Sequence, residues 1–212
     1  MKKSEAQLIT HTLSKTSKMP GPSYSISAFS CQTGSKLAKI PGSVCHGCYA
    51  RTNAYAWKTT QAALSKREAT LSHPLWVEAM VVQIGSNSWF RWHDSGDIQS
   101  INHLDRICQV AKATPKTKHW LPTKEIGMVR DYVKTHQVPA NLIIRLSAPM
   151  VDSKALRGLD SPQVKTCRTI SEAGIVDGTS TKVCPAPKQG GKCGDCRNCW
   201  DLNVEDVAYL KH

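Results

Sequence analysis

Between residues 88 and 147 the apolar positions alternate between two periods, and that alternation limits the fold more than any other feature of the chain. Residues 88–93 (SWFRWH) read as a strand, and Ile101–Ala113 as an amphipathic helix with Leu104, Ile107 and Cys108 on one face. A strand over 118–121 and a helix over 124–135 follow. Residues 141–147 (NLIIRLS) carry a continuous Leu-Ile-Ile core, the mark of a strand buried on both faces. Strands separated by helices of this length make β-α-β units, whose strands run parallel. The predicted class is α/β, either a partial (β/α) barrel or a mainly parallel sheet, with a cysteine-rich C-terminal loop.

The flanks are less regular. Residues 23–29 (SYSISAF) read as a strand, 30–49 as a loop rich in Gly, Pro, Ser and Cys, and 53–72 and 74–84 as helices. Beyond residue 147 the pattern weakens, with 182–184 as a last strand feeding the C-terminal cysteines. A chain of 212 residues with 40% apolar content can bury a normal core, so a single domain over 1–212 is expected, with 184–200 as its metal-binding segment. Its apolar runs fall far short of the ~18 residues of a membrane span, and the basic start MKKSEAQLITHTLSK lacks the apolar stretch of a signal peptide. No membrane association and a cytoplasmic location are expected.

Nine cysteines are many for a protein of a reducing compartment, where clustered thiols serve as metal ligands or catalysts more often than as disulfides. The closing CPAPKQGGKCGDCRNCW spaces Cys184, Cys193, Cys196 and Cys199 as C-x8-C-x2-C-x2-C. Two intervening residues let adjacent thiolates face one centre, and Lys188, Lys192 and Arg197 favour the thiolate form. Four thiolates can hold zinc or a 4Fe-4S cluster, and the compact C-x2-C-x2-C run favours iron and sulfide. Cys31, Cys45 and Cys48 form a second group, able to supply three cluster ligands and leave one iron open. Either three and four thiols serve two centres, or both ends of the chain share one. Cys108 belongs to an apolar helix face and reads as core; Cys167 is assigned to neither role.

Other candidates sit where strands should end in loops. His93, Asp94 and Asp97 can serve as general acid or base, or form a turn capping the next helix. Arg91, Lys124 and Arg145 lie near predicted strands and can face an anionic ligand. The six tryptophans read mostly as core or as shielding for a metal centre. The net charge of +12 favours polyanions, so a zinc- or cluster-stabilised nucleic-acid-binding module is the alternative to a redox or enzymatic iron–sulfur protein. A host or phage protein partner is a third option without a mark in the sequence.

The ordered set GPSYSISAFSC, CHGCYA, RWHDSGD and CPAPKQGGKCGDCRNCW resembles the bacteriophage "gene product 88" family across most of the chain. That resemblance implies a phage origin, and with it the host cell cytoplasm, but no known reaction. A looser similarity is to radical S-adenosylmethionine enzymes, which join a partial (β/α) barrel to three cysteines that leave one cluster iron for the cofactor. Cys45-x2-Cys48-Tyr49 is similar to the end of their signature, although Cys31 stands further upstream than their spacing. It implies S-adenosylmethionine as a cofactor and Tyr49 as a cofactor-binding residue.

Overall fold

Seven strands form one parallel sheet in the computed structural model, which describes residues 1–174 and 180–211. The order is β1 (Ser23–Tyr24), β2 (Trp89–Trp92), β3 (Lys118–Thr123), β4 (Leu142–Ser147), β5 (Val164–Ile170), β7 (Asp206–Leu210), β6 (Thr181–Val183). Every pairing is parallel. Of the two expected architectures, the parallel sheet is the one adopted. The edges β1 and β6 are two and three residues long and do not pair with each other, so no barrel closes.

The first five strands lie side by side in chain order. The helices are α1 (Lys3–Thr10), which precedes β1, and α2 (Gln32–Leu37), α3 (Asn53–Ala56), α4 (Lys58–Ala69), α5 (Trp76–Ile84), α6 (Ile101–Ala113) and α7 (Ile126–Val133), of which α5, α6 and α7 pack their buried residues on one face of the sheet. The helical face holds the larger core, where Trp76, Met80, Leu104, Ile107 and Val129 meet Phe90, Trp92, Leu121, Leu142, Ile144 and Leu146. Each such aliphatic side chain contributes roughly 1.5–3 kcal/mol by leaving water. Helix α6 starts where Ser100 Oγ accepts the His103 N–H at 3.0 Å, and its buried residues recur at helical spacing. The helix expected over 53–72 is two, because Trp57 takes an extended conformation between α3 and α4.

The opposite face is covered by the chain itself. From edge strand β6 the backbone crosses under the sheet and returns as β7 between β5 and β6. This crossover contains the C-terminal cysteines. Trp200, Cys199 and Val204 pack against Trp120, Cys167 and Val207, and Trp200 Nε1 donates to the Phe90 carbonyl of β2 at 2.9 Å. Arg145, fully buried on β4, holds the crossover in place. Its Nε donates to Cys199 O (3.1 Å), Nη1 to Thr166 O (3.2 Å) and Val204 O (3.0 Å), and Nη2 to Asn198 O (2.7 Å) and Asp201 O (3.1 Å).

Two strands escape the sequence pattern. β5 (VKTCRTI) and β7 bury polar side chains that satisfy one another: Arg168 and Asp206 pair at 3.0 Å with 2% and 4% side-chain exposure, and Thr166 Oγ1 donates to Asp206 at 2.7 Å. The segment before β1 approaches β2 so closely that a Cβ on Gly21 would lie 2.0 Å from the Trp89 carbonyl oxygen. Gly96 has the same role at the other end of β2, with φ +83° and Ile26 where its side chain would be.

Candidate functional site

The loops that follow β1, β2, β3 and β4 converge at the carboxyl edge of the sheet, where parallel α/β folds keep their chemistry. After β1 the chain turns through Cys31 into α2. That turn is fastened to the end of β3, because buried Glu125 accepts both the Thr33 N–H (2.8 Å) and the Thr33 hydroxyl (2.7 Å). The Cys45 loop is pinned to the end of β4, where Val44 N–H donates to Pro149 O at 2.9 Å. A tight turn then carries Cys45 to Cys48, the Cys48 N–H donating to Cys45 O at 3.3 Å. His46, between them, has its Nδ1 3.1 Å from Ala38 O.

These fastenings bring Cys31 within electrostatic reach of Cys45 and Cys48 on the following turn. The Sγ atoms of Cys31 and Cys45 each lie 3.6 Å from the point that a Cβ on Gly34 would occupy. Burial pushes the Cys31 thiol far up, with Asp97, Cys48 and Cys45 adding to it and Arg51 opposing. Burial likewise raises Cys45, where Lys124 and Arg51 oppose and Cys48 and Asp97 add. Lys124 is thus beside the thiols, although its Nζ donates to Ser147 Oγ (2.7 Å) and Ala148 O (3.0 Å).

The HDSGD turn divides its residues among different tasks. Asp97 is buried and clamps β2 to β3, accepting from Thr123 Oγ1 (2.6 Å), the Lys124 N–H (2.8 Å) and the Ile98 N–H (2.8 Å). Burial raises it to about 6 in spite of those bonds. The helix cap anticipated for this turn is supplied by Ser100 instead. Asp94 accepts the hydroxyls of Ser25 and Tyr55 (2.9 Å to Tyr55), and its carbonyl accepts the Tyr49 hydroxyl. His93 has φ +56° and 3% exposure, with neither ring nitrogen in a hydrogen bond of ordinary geometry. Burial and Arg91 lower it to about 3, and its ring meets His103 edge-on at 5.4 Å.

The C-terminal cysteines form a separate group on the second face. Burial and then Cys184 and Cys196 raise the Cys193 thiol, while burial and Cys196 raise Cys184. Cys199 is buried, its Sγ 3.2 Å from Tyr209 Oη, and burial pushes it up to about 12. Positive φ angles at Gly190, Gly191 and Gly194 let the backbone wrap around this group. Among the described residues, no three Cys, His, Asp or Glu side chains are gathered tightly enough for a single metal ion. Cys108 and Cys167 are buried in the two cores, with thiols raised by burial to about 12 and about 11.

Arg91 stands between the groups. Its guanidinium lies 4.5 Å over Trp120, and Tyr49, Asp94, Tyr209 and Cys199 outweigh the burial that disfavours its charge. Arg145, expected to face an anionic ligand, does not: backbone carbonyls of the crossover and of β5 occupy its guanidinium. Glu125, Arg51 and Gly34 had no sequence signal, because only the convergence of three loops gives them a role at the thiols.

Among the described residues no helix is long and apolar enough to cross a membrane. In comparisons with known proteins, the family model described as Gene product 88 matches residues 1–202. No curated protein and no solved structure matches the chain.

Proposed function

We propose, from the premise that the chain belongs to the gene product 88 family, that it is an iron–sulfur protein whose reactive centre is held by Cys31, Cys45 and Cys48. The observation that carries this reading is the cradle over Gly34, where two thiols from separate loops face a space that any larger residue would fill. The donor set is all sulfur, the usual one for iron–sulfur clusters, and a cluster spreads its thiolates more widely than one tetrahedral ion does. A bound cluster would supply one-electron chemistry at the carboxyl edge. Three protein ligands leave a position open for a small cofactor or substrate, S-adenosylmethionine being the one suggested by the radical-enzyme resemblance. Zinc is the alternative metal.

The chain's own groups have clear parts in this reading. Lys124 and Arg51 offset the negative charge of thiolates, Glu125 fixes the loop that bears Cys31, and Tyr49 ties the Cys48 turn to Asp94. Cys184, Cys193, Cys196 and Cys199 form a second, structural centre that fastens the crossover.

Anaerobically prepared protein should be brown, absorb near ~400 nm and contain iron with acid-labile sulfide. Colourless protein with stoichiometric zinc and no sulfide overturns the iron–sulfur reading.

A further inference from the structure

Arg67 of α4 and Asp94 of the turn after β2 are each only 7% exposed, carry opposite charges and do not pair. Arg67 takes part in none of the ion pairs among the described residues. Its Nη1 donates to Ser14 Oγ (3.0 Å) and Ser25 O (3.4 Å), its Nη2 to Thr12 O (2.6 Å), and its Nε makes no hydrogen bond. Asp94 takes the hydroxyls of Ser25 and Tyr55 and is near enough to Arg91 to favour that cation, while the Arg67 guanidinium lies 5.7 Å over the Tyr24 ring. Ser25 therefore stands between the two charges, its carbonyl toward the cation and its hydroxyl toward the anion. Both charged side chains line one open cavity of about 370 Å³, together with Ser14, Lys15, Ser25 and Tyr55.

Charges withdrawn from water cost several kcal/mol each unless compensated, and hydrogen bonds to neutral groups compensate only part of that. A simple anion in this cavity would meet Arg67 and Lys15 but also the Asp94 carboxylate. A simple amine would meet Asp94 but also two cations. A molecule bearing a carboxylate beside an ammonium satisfies both ends.

We infer that this cavity is a binding site for the amino-acid group of a small zwitterionic molecule, with its carboxylate on Arg67 and Lys15 and its ammonium on Asp94. The volume is at the lower end of small-ligand sites, enough for an amino acid with a modest side chain. Ala63 and Leu64 supply an apolar wall for that side chain. The site adjoins the cysteine loop, since the Tyr55 ring meets Tyr49 edge-on at 5.7 Å. It stands on the cavity alone and needs no cluster.

Three probes with the same unbranched chain separate the contributions: L-norleucine, hexanoate and pentylamine, titrated into the whole protein at pH 7 by saturation-transfer NMR. L-norleucine should bind about tenfold or more tightly than either of the others, each charge-assisted contact being worth on the order of a factor of ten. Asp94→Asn should bring L-norleucine down to the level of hexanoate, and Arg67→Lys, which keeps the charge but not the fork, should weaken it about tenfold. Equal binding of hexanoate and L-norleucine, or no L-norleucine binding at about 10 mM, overturns the inference. The ranking on the unaltered protein decides the matter even if a variant does not fold.

Discussion

The two cysteine groups rest on different supports. Cys31, Cys45 and Cys48 are half-buried on loops beyond the strand ends, held by Glu125, the Pro149 carbonyl and short local turns. Cys199 of the other group is part of a core, packed with Trp120 and Trp200 beneath the sheet and joined through its backbone to Arg145. Loss of a side chain from the first group removes little packing and, under the proposed function, one cluster ligand. Loss of Cys199 from the second loosens the segment that covers one face of the sheet, whereas Cys184, Cys193 and Cys196 are half-buried like the first group. Site and scaffold thus use the same residue type, and the surroundings decide which one a cysteine serves.

The largest effects are expected at the thiols. Cys45→Ala should abolish the iron and sulfide held by the first group while leaving the urea midpoint nearly unchanged. Loss of all iron from the protein would instead show that both groups share one centre. Gly34→Ala should also lower the iron content, because the added methyl would press on Cys31 Cβ at 3.0 Å and occupy the space between the two sulfurs, and it should leave the C-terminal group loaded. Normal iron content in that variant removes the cradle as an explanation.

For the scaffold, Arg145→Met should cost on the order of 4 kcal/mol in urea unfolding, since it leaves buried carbonyls without donors. A loss below about 1 kcal/mol would mean that water replaces the guanidinium.

Acid should act mainly through the helical core. Burial holds His119 at about 3, and it lowers His103 as well. The folded chain favours the neutral ring, so between about 3 and the ordinary 6.5 the unfolded chain binds more protons. Stability is complete above about pH 6.5 and falls with pH below it, by up to roughly 1.4 kcal/mol per pH unit for each histidine. Urea midpoints at pH 7, 5.5 and 4.5 should show a shallower decline in His119→Gln.

The smallest effect is expected at the Lys165–Glu205 pair, where Glu205 is 61% exposed: Glu205→Gln should change stability by about 0.5 kcal/mol or less. A larger change would mean that the surface contributes to fastening the crossover.

Much of the fold was legible where a single face or run carries the signal. Helix α6 shows its core face at helical spacing, and β4 shows burial on both faces by its Leu-Ile-Ile run. β5 and β7 were not legible, because Arg168, Asp206 and Thr166 look like surface residues until they meet across neighbouring strands. The segment 23–29 looked like one strand, yet only Ser23–Tyr24 pairs before the chain turns into the cysteine loop. Among site candidates, Lys124 lies beside the thiols, whereas Arg145 serves the scaffold. Its position in a predicted strand did not reveal which, since the carbonyls that occupy it come mostly from residues 198–204.

What the sequence determined by itself was local: strand–helix alternation, hence a parallel sheet, and the spacing of thiols within each short motif. Periodicity and turn chemistry act over a few residues, so they can be read in order along the chain. The tertiary structure decided that Cys31 meets Cys45 over Gly34, that the C-terminal cysteines pass beneath the sheet, and that Arg67 and Asp94 share a cavity without pairing. Those outcomes depend on which buried charges and carbonyls find partners, and the partners lie tens of residues apart.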